Sequence, residues 1–231
     1  MKSLFYSGGA MSPAEHAPKH SVPLFRDGLI GRRQILGGIL ASLAGAVVVP
    51  ARAEESDDAL LARIAAYLNG IHTLRARFRQ TAPDGQVTQG TVWLERPGHI
   101  RFQYDPPTPL LLVATNGEVI FQDFQVHQVS RIPLDRTPLS ILLSDHIDFN
   151  GAAAVREISR TPGVIQLSVV RRTDPGAGLL AIVFSADPLK LIQWTVVDPQ
   201  HKITRVELSN IQTGIPVDPT LFSPTLIKPP G

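Results

Sequence analysis

The sequence predicts a mainly β fold with few helices, an incomplete antiparallel β-barrel of about 11 strands with a helical lid. Three observations carry this. Beyond residue 70, apolar and polar side chains alternate with period two, the pattern of strands with one buried face. Turns containing Pro, Gly or Asn punctuate that alternation at roughly ten-residue spacing, which suits antiparallel strands joined by short links. Helical spacing occurs in only two segments. Two helices cannot cover so many strands from outside, so the economical arrangement is a curled sheet with the helices over its open mouth.

The chain has 231 residues, 22 Lys+Arg, 20 Asp+Glu and no Cys. That length suits one domain with an appendage. A net charge of +2 speaks against a dedicated nucleic-acid binder. The missing cysteine removes disulfides, thiolate metal sites, a Cys nucleophile and a Cys-borne lipid anchor. The charge is unevenly spread. Residues 1–53 hold six basic and two acidic side chains, so residues 54–231 carry 16 basic against 18 acidic, a net of −2.

Residues 1–53 read as an export signal peptide. Arg32 and Arg33 precede an uncharged, largely apolar run at 35–49, and Ala51-Arg52-Ala53 supplies a small-x-small cleavage site just before acidic residues. As a helix the run would span about 22 Å at 1.5 Å per residue, short of a bilayer core of about 30 Å. Cleavage after Ala53 is therefore expected rather than a retained anchor. The Arg32-Arg33 pair resembles the twin-arginine export signal, with Gly31 where Ser or Thr is usual; a general secretion signal is the alternative. Residues 54–231 then form a single domain.

That domain opens on a helix. Asp57 or Asp58 can cap it, Leu60, Leu61, Ile64, Ala65 and Leu68 form its apolar stripe, and Gly70 suits its end. Leu74, Ala76 and Phe78 then alternate with Arg75, Arg77 and Arg79. The arginines suggest a nucleic-acid patch, but the alternation explains them as the wet face of a strand. Pro83-Asp84-Gly85 turns the chain into a strand at 87–95, and Arg96-Pro97-Gly98 turns it again. Ile100, Phe102 and Tyr104 alternate with His99, Arg101 and Gln103. Asn116-Gly117 joins strands at 110–115 and 118–123 in a hairpin, and 126–130 reads as a further strand. A short helix interrupts at 137–143, with Thr137 as cap and Pro138 at its first position. Strands resume near 154–160, 163–172, 179–185, 189–198 and 202–210.

Catalytic machinery is not evident. There is no Gly-x-Ser-x-Gly, no His-Glu-x-x-His and no phosphate-binding glycine loop. Ser144-Asp145-His146 holds triad residue types, but adjacency in sequence is not triad geometry. His146 with Asp145 and Asp148 reads as a solvated loop ahead of a metal site. Trp93 and Trp194 fit either a core or a ligand platform. No enzyme activity, metal or cofactor is expected.

The run Val92-Trp93-Leu94-Glu95-Arg96-Pro97-Gly98-His99-Ile100-Arg101-Phe102 resembles a signature of the outer-membrane lipoprotein carrier family, the LolA-like proteins. The capped helix and the strand Thr73-Leu74-Arg75-Ala76-Arg77-Phe78 before it, the Thr-Pro-apolar helix at 137–143, and Val217-Asp218-Pro219-x-Leu221-Phe222 near the end occur in the matching order. The ending Pro224-Thr225-Leu226-Ile227-Lys228-Pro229-Pro230-Gly231 departs from the family's usual Phe-x-Phe-x-x-Pro.

The resemblance implies an incomplete barrel lidded by helices. It also implies a periplasmic carrier that binds the acyl chains of triacylated lipoproteins and delivers them to the outer membrane. Its partners would be an inner-membrane lipoprotein-releasing ABC transporter and an outer-membrane lipoprotein receptor, and a monomer is expected. The related receptor is anchored through an acylated cysteine, so a cysteine-free chain favours the soluble carrier. By family position Arg96 is the lid clasp, its guanidinium holding carbonyls of the lid helix; an ordinary solvated or Glu95-paired arginine is the alternative. Trp93, Ile100, Phe102, Tyr104, Leu139, Leu142 and Leu143 are candidate residues of the lipid-binding cavity, with core packing as the alternative for each. Competing readings are a lipid- or lipoprotein-sensing regulatory module of the cell envelope and an envelope hydrolase.

Overall fold

The computed structural model describes residues 55–223. The export-signal expectation, with Arg32, Arg33, Ala51 and Ala53, and the ending at 224–231 lie outside the described residues. Eleven strands form one sheet, β1 (Thr73–Thr81), β2 (Val87–Glu95), β3 (His99–Tyr104), β4 (Leu110–Thr115), β5 (Glu118–Asp123), β6 (Gln128–Pro133), β7 (Ala153–Thr161), β8 (Val164–Arg171), β9 (Leu179–Ala186), β10 (Leu189–Val197) and β11 (Ile203–Thr213). The helices are α1 (Asp57–Asn69) and α2 (Leu139–Leu142), with 3₁₀ turns at Leu134–Arg136, Pro175–Ala177 and Pro219–Phe222. No helix among the described residues is long and apolar enough to cross a membrane.

The strand order is β6-β5-β4-β3-β2-β1-β11-β10-β9-β8-β7, antiparallel throughout. Every neighbour but one is also a neighbour in sequence. The exception, β1 with β11, joins the first strand to the last at the middle of the sheet. The two edges, β6 and β7, do not pair, which leaves the barrel incomplete. The chain between them, 134–152, carries α2. Leu139, Ile141, Leu142, Leu143, Ile147 and Phe149 of this link are buried in the core.

One apolar cluster fills the concave side, with residues from β1 to β5, from β7 to β11 and from both helices. Only a curled sheet can bring strands from both halves to one core. Leu60, Ile64 and Leu68 form the buried stripe of α1, all at most 2% exposed. Burying each contributes about 2 kcal/mol, which stabilises a helix too short to stand alone in water. Phe78 packs edge-on against Phe102 and Tyr104, and Phe102 against Trp194. Gly90, paired with Phe78, leaves room for that ring: a Cβ there would fall 2.1 Å from the Gln103 carbonyl and 2.7 Å from Phe78 Cε1.

Four local expectations need correction. The N-cap of α1 is Ser56, whose hydroxyl accepts from Ala59 N, rather than Asp57 or Asp58, which occupy the first turn. Thr137 does not cap α2. Its hydroxyl donates to the Leu134 carbonyl and closes the preceding 3₁₀ turn. The strand expected at 126–130 begins at Gln128, because the Asp123 carboxylate accepts from Gln125 N and Val126 N and holds a turn there. The last strand runs on to Thr213 through a bulge at which Asn210 takes φ 52°.

Candidate functional site

The β2–β3 turn is where the sheet meets both helices. Arg96 is 8% exposed. Its Nε donates to the Ile71 carbonyl at 2.8 Å, and its Nη2 donates to the carbonyls of Ile71 and Leu68. Leu68 belongs to the last turn of α1, and its carbonyl accepts from Ile71 N at 3.1 Å as well as from Arg96, while the Ile71 carbonyl, just beyond the helix, accepts from both Nε and Nη2 of the guanidinium. Burial lowers the pKa of Arg96, and the charge of Asp145 opposes that effect. The Nη1 of Arg96 is buried with no hydrogen-bond partner.

Two further fastenings share this end. Gly98, at φ +80°, sends its N–H to the Leu143 carbonyl at 2.9 Å, at the end of α2. Asn69, the last residue of α1, donates from Nδ2 to the Ile147 carbonyl at 3.0 Å and accepts from Ile147 N at 2.8 Å. One turn thus holds α1 by a side chain and α2 by its backbone, and Asn69 ties α1 to the segment following α2. The start of α2, at Pro138, is seated against the other half of the sheet. At Gly178 (φ +114°), a Cβ would lie 2.2 Å from the Val197 carbonyl and 2.9 Å from Pro138 Cγ.

A profile of the family described as Outer membrane lipoprotein carrier protein LolA matches residues 69–225. The chain belongs to this family. An outer-membrane lipoprotein carrier protein of Methylococcus capsulatus is 27% identical over 179 residues, covering 74% of this chain and 85% of that one. One from Coxiella burnetii is 26% identical over 198 residues, covering 81% and 90%. Among solved structures, a LolA superfamily protein from Nitrosomonas europaea is similar over 71% of this chain and 97% of its own, at 8% identity and a TM-score of 0.40.

Within this LolA-family chain, Ile100, Phe102, Tyr104, Leu139, Leu142 and Leu143 all lie in the concave cluster, none more than 9% exposed. Trp93 does not join them. It alternates with Val92 and Leu94, so the strand pleat turns it to the convex face, where Arg75 lies 5.9 Å over its ring. Trp194 is the interior tryptophan, 1% exposed. The arginine row on β1 is largely neutralised within the chain: Arg77 pairs with Asp105 and Arg79 with Glu207. Among the described residues no group of three His, Asp or Glu could hold a metal ion.

The convex face is not wet throughout. Leu111, Val113 and Phe222 form a second cluster there, packed with Trp93, Phe124 and Val217. The closing 3₁₀ turn, capped by Asp218 through Thr220, lays Phe222 over β4 and beside His99. Arg101, expected on a wet face, is 8% exposed beneath it and donates to the Leu221 carbonyl at 3.0 Å. The contacts made by Gly98, Asn69 and Gly178 escaped the sequence reading because turn and helix-end residues of these types occur in any β-rich chain. Only the paired apolar residues Leu111 and Val113, alternating with Leu112 and Ala114, hinted at a strand covered on both faces.

Proposed function

We propose that this chain is a periplasmic carrier that binds the acyl chains of lipoproteins released from the inner membrane and delivers them to the outer membrane. Arg96 is the lid clasp, and Ile100, Phe102, Tyr104, Leu139, Leu142 and Leu143 line the surface that receives the chains when the helices part. The inner-membrane lipoprotein-releasing ABC transporter and the outer-membrane lipoprotein receptor are its proposed partners. No chemistry is required of it beyond binding and release.

The observation that carries this reading is the Arg96 attachment. It joins a helix that covers an apolar concave face to a turn of the sheet, through hydrogen bonds to backbone carbonyls alone. Such bonds contribute about 1.5–3 kcal/mol each when the donor is charged, enough to hold a lid and few enough to exchange. The physical need is large. A triacylated anchor has roughly 45 methylenes at about 0.8 kcal/mol each, so crossing an aqueous gap demands an apolar container. A lid that must be opened by cargo weakens the net grip, which favours release to the destination membrane.

Native mass spectrometry of the protein purified from the periplasm tests the reading. A co-purifying triacylated protein is the expected result. Free lipid alone, or stable protein with neither, would overturn it.

A further inference from the structure

The end of the barrel remote from Arg96 is built differently. The β1–β2 turn, the β3–β4 link and the end of β5 surround a cleft of about 700 Å³, lined among others by Gln80, Gln86, Thr88, Leu110, Phe121 and Asp123. That volume lies within the ~300–1,000 Å³ usual for small-molecule sites. Its apolar wall, Leu110 and Phe121, packs directly against the concave cluster. Its floor is polar and buried: Gln80 is 6% and Thr88 9% exposed, and the two are paired across β1 and β2. Tyr104, on the same face, donates its hydroxyl to Gln80 Oε1 at 3.0 Å, which leaves the Gln80 amide NH₂ as a donor.

The charge of the lining is informative. Its ionisable residues are Asp84 and Asp123, and Lys, Arg and His are absent from it. Both carboxylates accept backbone N–H groups of their own turns, Asp84 from Gln86 N and Asp123 from Gln125 N. A phosphate here would meet two carboxylates and no cation. Ester or amide groups would meet neutral amides and hydroxyls, with an apolar wall beside them for the attached chain.

We infer that this cleft is a binding site for the neutral acyl-ester and acyl-amide junction of an acylated protein, and that it discriminates against anionic phospholipids. The inference rests on the carrier reading and supplies its selectivity. An apolar interior alone would take any acyl chain, and specificity requires an element that disfavours the competitor.

The test uses the full chain, expressed with its own N-terminal segment and purified. A tripalmitoylated peptide without charged side chains competes with dipalmitoyl phosphatidylglycerol for the protein, read by native mass spectrometry. A preference for the peptide of about tenfold is expected. The double variant Gln86→Lys/Gln125→Lys adds cations at two exposed rim positions whose backbone bonds are unaffected, and should reduce the preference to about threefold or less. Gln89→Lys/Gln212→Lys, on the convex face, controls for net charge and should leave it intact. An unselective parent protein, a cleft variant that behaves as the parent, or a control that shifts equally would overturn the cleft assignment while leaving the carrier reading standing. Uptake of neither lipid would overturn both.

Discussion

Gly98 donates its backbone N–H to the carbonyl of Leu143 at 2.9 Å, from the same turn in which Arg96 reaches the end of α1. One tight turn therefore contacts both helices by different means. Backbone geometry sets one contact, and a single long side chain sets the other. This separates the two in mutagenesis.

Arg96→Leu is expected to leave the Ile71 carbonyl without its guanidinium donor, while the Leu68 carbonyl keeps its bond from Ile71 N. The loss is about 2 kcal/mol of local stability, in the range of leaving buried acceptors unsatisfied. The fold should persist, because the core cluster does not depend on the guanidinium. Hydrogen exchange in α1 should quicken. If the carrier reading holds, this variant still loads lipoprotein but releases it poorly in a transfer assay; normal transfer would contradict the clasp role.

Gly98→Ala and Gly178→Ala should differ. Nothing lies within 4 Å of a Cβ on Gly98, so its cost is the left-handed backbone alone, about 1–2 kcal/mol. At Gly178, whose φ of 114° and ψ of −174° suit only glycine, backbone strain adds to a collision with the Val197 carbonyl and Pro138. A loss of roughly 2–5 kcal/mol is expected there. Chemical denaturation of the two variants reads the difference, and equal losses would contradict the seating of Pro138 on Gly178.

Asn69→Ala removes both hydrogen bonds to Ile147. The expected cost is about 2 kcal/mol at roughly 1 kcal/mol per bond. Faster exchange should be confined to 144–149 and the last turn of α1, and a loss spread evenly over the sheet would argue against a local tie.

Two groups make opposite pH predictions. The Arg77 guanidinium holds Asp105 below its ordinary value. A depressed folded pKa means that the unfolded chain binds the proton first, so this contribution is present above about pH 4 and is lost as pH falls below it. The pair is about two-fifths exposed, so the effect on stability is small and screened by salt. Burial raises the pKa of Tyr104 well above the usual 10. Here the unfolded chain loses the proton first, so stability falls as pH rises above about 10. Carboxyl NMR on Asp105 and alkaline difference absorbance on Tyr104 read the two; Tyr104→Phe should remove the alkaline sensitivity assigned to this residue.

The fold was legible because its signals are local. Period two, turn chemistry and the stripe Leu60, Ile64, Leu68 each depend on residues within a few positions of one another. The eleven strands follow from them with end shifts of two or three residues, as at β6, where Asp123 holds a turn that alternation alone extends into a strand. The site was legible only in part. Arg96 stood out through the resemblance of its surrounding run and not through its own chemistry, since an arginine at a strand end is ordinary. Trp93 was misplaced because an aromatic on a strand has two faces to choose from, and the segment that covers the convex face lies more than a hundred residues away.

The sequence by itself determined the alternation, the turns, the two helices and the family pattern, all of which are short-range. It also determined which residues could be buried. The tertiary structure decided which face each strand buries, what Arg96 and Arg101 donate to, and where Gly98, Asn69 and Gly178 meet the segment that carries α2. Those outcomes depend on the pairing of β1 with β11 and on the link 134–152 between the unpaired edges β6 and β7. Contacts between residues so distant in the chain leave no periodic trace in it, because each partner is locally an unremarkable residue of its type.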